Sequence, residues 1–443
     1  MRLSDRPGDV TDYPGTGVID LGRLAARGAW AVLRRPMSFD AGLVLHDWLK
    51  QMTVRHRSPN VRLNLPTLPI LLVTDRELSR HILAAYPRRT GYTAGTLKRK
   101  GMSYLAPQAL TIAEDEAWDR LRPFNERVLC SGRPHDFQRA FLGQVRRGFD
   151  VPVGSMEHVR ESMGRAMLGI VFGEGVAPVH LVADIRELFG LVQSPVKRKL
   201  QGSRGRRRVA ALYDSLREAW HSADGAAATS LLGMARGAGG SENVETLLQQ
   251  VPHWMFTFTG SGADLLSRGL ALIGSRPDAL ARARNEIASA GPLDDPASID
   301  RLRYLEACLL ESARLFPPVR FTLHRAPAGD AAPNARIPPG TEILQVFSLT
   351  QRDPASDPTA DEFRPERWLE DLPRAEAAYP NLFLSGTRRC PGRDLILFVC
   401  KGAAACLLHE AGLVVGCAEL SADPLPFSFP TRHLRFETAL RRS

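Results

Sequence analysis

Residues 383–392 read FLSGTRRCPG. One cysteine, Cys390, follows two arginines and precedes Pro-Gly, just ahead of the apolar run LILFVC. Positive charge and backbone donors stabilise a thiolate. Arg388, Arg389 and the amino-terminal end of the helix expected after Gly392 should therefore lower the pKa of Cys390. Such a sulfur is a metal ligand or a nucleophile. A nucleophile needs a base within reach, and no neighbour supplies one; the nearest downstream histidine is His409, near the far end of the expected helix. Iron ligation fits these surroundings better.

The six cysteines, at 130, 308, 390, 400, 406 and 417, form no CxxC pair and no even spacing, so neither a zinc site nor a disulfide framework is expected. None of the 11 histidines has metal-ligand spacing. The composition, 44% apolar and 24% charged over 443 residues, is that of a globular protein rather than a disordered one. With no Gly/Ser- or Pro-rich linker and no repeat, residues 1–443 read as a single domain, in which 1–60 form an amino-terminal extension and the first helices. The start, MRLSDRPGDVTDYPGTGV, lacks a charged segment followed by an apolar core, and no apolar run reaches about 18 residues. A cytoplasmic protein is expected. A net charge of +10 admits nucleic acid, an anionic membrane or an acidic protein as partner. Aromatic residues are only 7% and do not interleave with the basic clusters, which argues against nucleic acid.

Periodicity places a small β region early and late in an otherwise helical chain. VRLNL from Val61 and ILLVT from Ile70 read as strands, and Asp75 caps a helix through DRELSRHILA. From Glu114 to about Gly291 apolar residues recur at helical spacing. The mostly apolar stretch from Glu242 to Ser275 reads as a central buried helix, distorted where glycines interrupt it. Strands are expected around RFTLHRA and TEILQVFSL, and an apolar helix from Leu395 to about Gly412.

Phe383, Gly386, Arg388, Cys390 and Gly392 together resemble the cysteine-ligand loop F-x-x-G-x-R-x-C-x-G of the cytochrome P450 family, of the soluble bacterial type. Three further segments occur in the order that family requires. Glu311 and Arg314 in ESARLFPP resemble its E-x-x-R, with the two side chains on one helical face. FRPERW resembles its P-E-R segment, whose arginine, here Arg367, would complete a buried triad with Glu311 and Arg314. Trp118 and Arg122 in EAWDRLRPF match its early tryptophan and arginine. The resemblance covers roughly residues 70–412. It implies a mainly α fold with a small β region, with haem b lying between the central helix and the helix after Cys390. Cys390 would be the axial thiolate that favours O–O cleavage, and Trp118, Arg122, Arg325, Phe383 and Arg388 would complete the cofactor site.

The implied activity is insertion of one oxygen atom from dioxygen into a small organic or carrier-tethered substrate. Electrons would come from a separate ferredoxin or flavodoxin-type donor, since no reductase domain is fused, docking where Arg389 and Arg393 contribute. The sequence departs from the family where an acid followed by threonine usually serves proton delivery on the central helix: ungapped counting puts Gly260-Ser261 there. Thr259, Ser261 and Asp264 are the remaining catalytic candidates. Gly260 and Gly262 either open room over the iron or permit close helix packing. The missing acid keeps open a peroxide-using, coupling or desaturating enzyme, and a haem sensor or carrier is a third reading. The basic run 196–208, VKRKLQGSRGRRR, is a solvated loop or an access rim for an anionic partner such as a carrier protein or membrane surface. LGRLAARGAWAVLRRP, from Leu21, is amphipathic enough for peripheral membrane contact, although packing on its own domain is the simpler reading.

Overall fold

A computed structural model of the chain describes residues 13–17, 20, 22, 41–64, 70–88, 90–177, 180–222, 228–240, 242–327, 331–332, 335–410, 412–431 and 434–437. All but one residue of the amphipathic stretch from Leu21 lies outside them. Helix dominates, with small sheets, as expected. Among the described residues, no helix is long and apolar enough to cross a membrane. The chain forms two compact units.

The first unit takes residues from 1–97, 319–358 and 377–389. Its sheet comprises β1 (Asn60–Leu63), β2 (Ile70–Val73), β3 (Thr93–Ala94), β4 (Phe321–Arg325) and β5 (Glu342–Val346), in the order β1-β2-β5-β4-β3. The continuous apolar run of β2 is buried throughout, as a strand covered on both faces requires. It pairs antiparallel with β1 and parallel with β5, setting Leu71 against Ile343. Helix α1 (Arg76–Ala84) begins where the Asp75 carboxylate accepts a hydrogen bond from the Leu78 amide at 2.7 Å. Its Leu78 and Ile82 pack with Leu71, Val73 and Ile343.

The second unit takes residues from 98–318, 359–376 and 390–443. The helices that matter for the site are α2 (Thr96–Leu105), α3 (Asp115–Val128), α4 (Gln138–Gly148), α5 (Met156–Phe172), α6 (His180–Gln193), α7 (Pro195–His221), α8 (Val251–Phe256), α9 (Ala263–Gly274), α10 (Arg303–Leu315) and α11 (Arg393–Ala405). Helix α11 is buried along almost its whole length and packs on α4, α9 and α10. A helix apolar all round belongs in a core. The basic run at 196–208 is helical rather than a loop, because Ser194 caps the first turn through the Lys197 amide and Pro195 occupies the first helical position. The helix breaks stride at Gly202, whose φ is 45°.

Candidate functional site

The central helix has the predicted distortion, and its form is specific: between α8 and α9, residues Thr257–Gly262 make a π-helical turn. Such a turn displaces the backbone register and recurs at functional sites. The two glycines in it do different things. A Cβ on Gly262 would sit 2.5 Å from the Ile396 side chain of α11, whereas one on Gly260 would meet only the Phe256 ring, at 3.7 Å. Gly262 therefore serves helix packing, whereas Gly260 is not crowded.

The more open positions lie along one side of the helix. His253, Phe256, Thr257, Gly260, Ser261 and Asp264 are half-buried, while every residue between them is buried. Their spacing is that of a single helical face. Within this stripe the Thr257 hydroxyl donates to the backbone carbonyl of His253 at 2.9 Å or to that of Trp254 at 3.0 Å. Thr259, on the buried side, donates to the Met255 carbonyl at 2.8 Å. Both oxygens of Asp264 are held, one by Arg160 and one by Arg268, each at 2.8 Å. Ser261 lies on the open face, and its hydroxyl makes no hydrogen bond among the described residues.

Cys390 precedes α11, which packs on both the π turn and α9. Five of the six cysteines are buried, and Cys390 alone is partly exposed. Burial pushes its thiol pKa up, outweighing the Gly392 amide and the Arg122 and Arg393 charges that pull it down. The expected lowering is thus reversed by desolvation. Arg393 itself is buried and paired with Glu376 and with Asp394, so it offers no surface for a docking partner. Trp118 and Arg122 stand one turn apart on α3, the guanidinium 5.6 Å from the indole ring centre. Arg122 Nε bonds Glu126 at 2.7 Å.

In the first unit, the other half of the motif folds tightly onto α1. Phe383 and Leu384 both adopt positive φ, 51° and 60°, which is rare for residues with side chains. Gly386 has φ 60°, and a Cβ there would lie 2.6 Å from Ala84 Cα, so the position admits glycine alone without rearrangement. Thr387 donates to the Ala85 carbonyl at 3.0 Å. Arg388 donates to the Tyr92 carbonyl, while its buried Nε has no partner. Burial lowers its pKa to about 10. Arg325 ends β4 exposed and forms no ion pair among the described residues.

Glu311 and Arg314, both fully buried on α10, pair through two hydrogen bonds of 2.9 and 2.8 Å. Arg367 Nε adds a bond of 3.0 Å, the Arg364 amide another of 3.0 Å and the Trp368 indole a third of 2.8 Å. Arg314 in turn donates to the carbonyls of Ala360 and Glu362. Burial alone would raise the Glu311 pKa, but the charges and hydrogen bonds of Arg314, Arg367 and Arg364 outweigh it and the net shift is downward. Sequence reading identified the triad but missed Trp368, although it stands beside Arg367 in PERW.

Taken separately, each unit supplies groups of the kind haem binding uses. A partly exposed sulfur precedes a buried helix. Arg388 carries an unpartnered buried donor and Arg325 a charge without an ion pair, both suited to propionate carboxylates. In the second unit, the Arg122 charge reaches the same sulfur.

The protein-family model described as Cytochrome P450 matches residues 219–409. That range holds Ser261, Glu311, Arg325, Arg367 and the whole cysteine loop; Trp118 and Arg122 precede it. Human cytochrome P450 4V2 is 28% identical over 185 residues, which cover 41% of this chain and 35% of that protein. Cytochrome P450 84A1 of Arabidopsis thaliana is 30% identical over 174 residues, covering 38% of this chain and 33% of that one. Dimethylnonatriene synthase of the same plant is 32% identical over 177 residues, covering 38% and 34%. The chain thus spans about a third of the length of these curated relatives.

Proposed function

The chain belongs to the cytochrome P450 family, and on that premise we propose that it is a haem-thiolate monooxygenase. The observation that carries this reading is Cys390: the one partly exposed cysteine of six, set ahead of a buried helix that packs on the π turn and on α9. Cys390 would hold the iron of haem b, with Trp118, Arg122, Arg325 and Arg388 toward the propionates and Phe383 beside the loop. Bound haem supplies the oxidising chemistry, using dioxygen and two electrons. The substrate is a small organic molecule, free or tethered to a carrier protein, and the electron donor is a separate ferredoxin or flavodoxin-type protein in the cytoplasm.

The chain's own residues do the rest. The π turn opens the helix at Gly260 and sets the Ser261 hydroxyl on the open face, where it orients a water or a substrate hydroxyl. Thr259 holds the distorted backbone. Asp264, gripped by two arginines, braces α9 to α5 more readily than it offers a mobile proton. The test is the spectrum of the reduced protein under carbon monoxide. The wild type should show the red-shifted thiolate band, and Cys390→Ala should lose it; a variant that kept it would exclude Cys390 as ligand.

A second reading rests on the same pinned Asp264. With no free acid beside Ser261 among the described residues, the enzyme would use peroxide, or catalyse coupling or desaturation, without the usual proton relay. Turnover with peroxide at a rate matching the reductant-driven reaction would favour it.

A further inference from the structure

The basic run at 196–208 has no part in the haem-thiolate reading, yet as the start of α7 it acquires a definite outer face. Its first limb is tied down on one side, where the Arg198 guanidinium donates to the backbone carbonyls of Leu191 and Val192 at 2.8 and 2.5 Å. At helical spacing the opposite side carries Val196 and Leu200, one turn apart, with Lys197 to one flank and Lys199 to the other. All four are exposed, Val196 at 68% and Leu200 at 81%. Beyond the break at Gly202, the second limb turns Gly205, Leu212 and Leu216 inward. Gly205 packs so closely that a Cβ there would lie 2.3 Å from the Tyr104 hydroxyl. Arg204, Arg206 and Arg207 are left exposed.

These cations have little to pair with. Arg198 is used by the two carbonyls, and Arg208 by Asp184 and Glu187 of α6. Lys197, Lys199, Arg204, Arg206 and Arg207 form no ion pair or hydrogen bond among the described residues, and the sequence holds no acidic residue between Pro195 and Tyr213. Like charges gathered on one face repel one another unless an anionic surface covers them.

We infer that this face of α7 seats on an anionic lipid surface, with Val196 and Leu200 entering the headgroup layer and the five cations meeting lipid phosphates. The lysine stems lie along the two aliphatic side chains and keep their ammonium groups at headgroup level. The competing occupant is an acidic protein. Protein interfaces enrich aromatic residues and deplete lysine, whereas residues 196–208 include no aromatic and set two lysines around the apolar pair. Lipid is therefore the better match. Helix α7 is too charged to cross a bilayer, so the contact is peripheral. This goes beyond the monooxygenase reading and does not depend on it.

The experiment co-sediments full-length protein with vesicles of phosphatidylcholine, alone or with about 30% phosphatidylglycerol, at about 0.05 M and 0.3 M salt. At low salt the wild type should bind the anionic vesicles about a hundredfold more strongly than the neutral ones, and most of that preference should vanish at high salt. Lys197→Gln, Lys199→Gln, Arg204→Gln and Arg207→Gln together should abolish the preference. A control set of exposed cations elsewhere, Arg57→Gln, Arg303→Gln, Arg374→Gln and Arg435→Gln, lowers the net charge equally and should keep it. Val196→Ser with Leu200→Ser should weaken binding to anionic vesicles about tenfold. Equal binding of the wild type to both vesicles overturns the inference, as does full binding by the α7 glutamine variant, an equal loss in the control set, or unaltered affinity in the serine pair. A wild type that ignores vesicles yet binds soluble polyglutamate assigns the face to an acidic protein and overturns the lipid seating too.

Discussion

Glu311 is the residue on which most donors converge, with five hydrogen bonds to one fully buried carboxylate. Removing the charge leaves Arg314 buried without its partner, so Glu311→Gln should lose about 3–5 kcal/mol and retain haem poorly. Because its folded pKa is lowered, Glu311 adds stability above the ordinary carboxylate range, and that contribution is lost as pH falls through the folded value. Thermal melts as a function of pH should therefore show the wild type and Glu311→Gln converging in acid. A constant gap down to pH 2 would contradict the sign. Ser261 gives a second test at this scale. With its hydroxyl lost and Asp264 already held by arginines, Ser261→Ala should change product formed per reductant consumed only modestly. A collapse of that ratio, with reductant diverted to hydrogen peroxide, would instead assign Ser261 to the proton relay.

At the scale of elements, the glycines make opposite predictions. Gly386→Ala forces a Cβ into the backbone of α1 at a left-handed position and should destabilise by about 1–3 kcal/mol, read by chemical denaturation. Gly260→Ala should leave stability nearly unchanged, because nothing crowds that position, while weakening binding of bulky ligands in titration. Local spacing made much of this legible. The Asp75 cap, the Glu311–Arg314 pair, the cysteine loop and the distorted central helix all follow from residues within a turn or two of one another. What stayed hidden depends on distant chain. Asp264 looked like an available acid because Arg160 lies 104 residues away. The basic run at 196–208 read as a loop from its charge. Lysine, arginine and leucine are good helix formers, and the Ser194-Pro195 start settles them as α7.

For the whole molecule, the proposed function and the net charge of +10 together predict an acidic electron donor. Its reduction of the haem-loaded protein should slow as salt rises, since exposed charges are screened over about 10 Å at 0.1 M. A rate independent of ionic strength would contradict this. Arg393 is already consumed by Glu376 and Asp394, so Arg393→Gln should lower stability rather than change the salt dependence. The α7 surface is a separate basic feature, with Leu200 81% and Val196 68% exposed among its cations.

The Glu311 hub also imposes an order on biosynthesis. Three of its donors lie 53, 56 and 57 residues further along the chain. A ribosome needs roughly 3 to 11 s to add the 57 residues that separate Glu311 from Trp368. Throughout that interval the nascent chain carries a carboxylate and a guanidinium that cannot yet be enclosed, so α10 must stay accessible to solvent or to chaperones. Cys390 emerges later still. Ribosome-arrested chains ending before residue 360 should be cut by protease within α10, and chains long enough for residue 368 to clear the exit tunnel should resist.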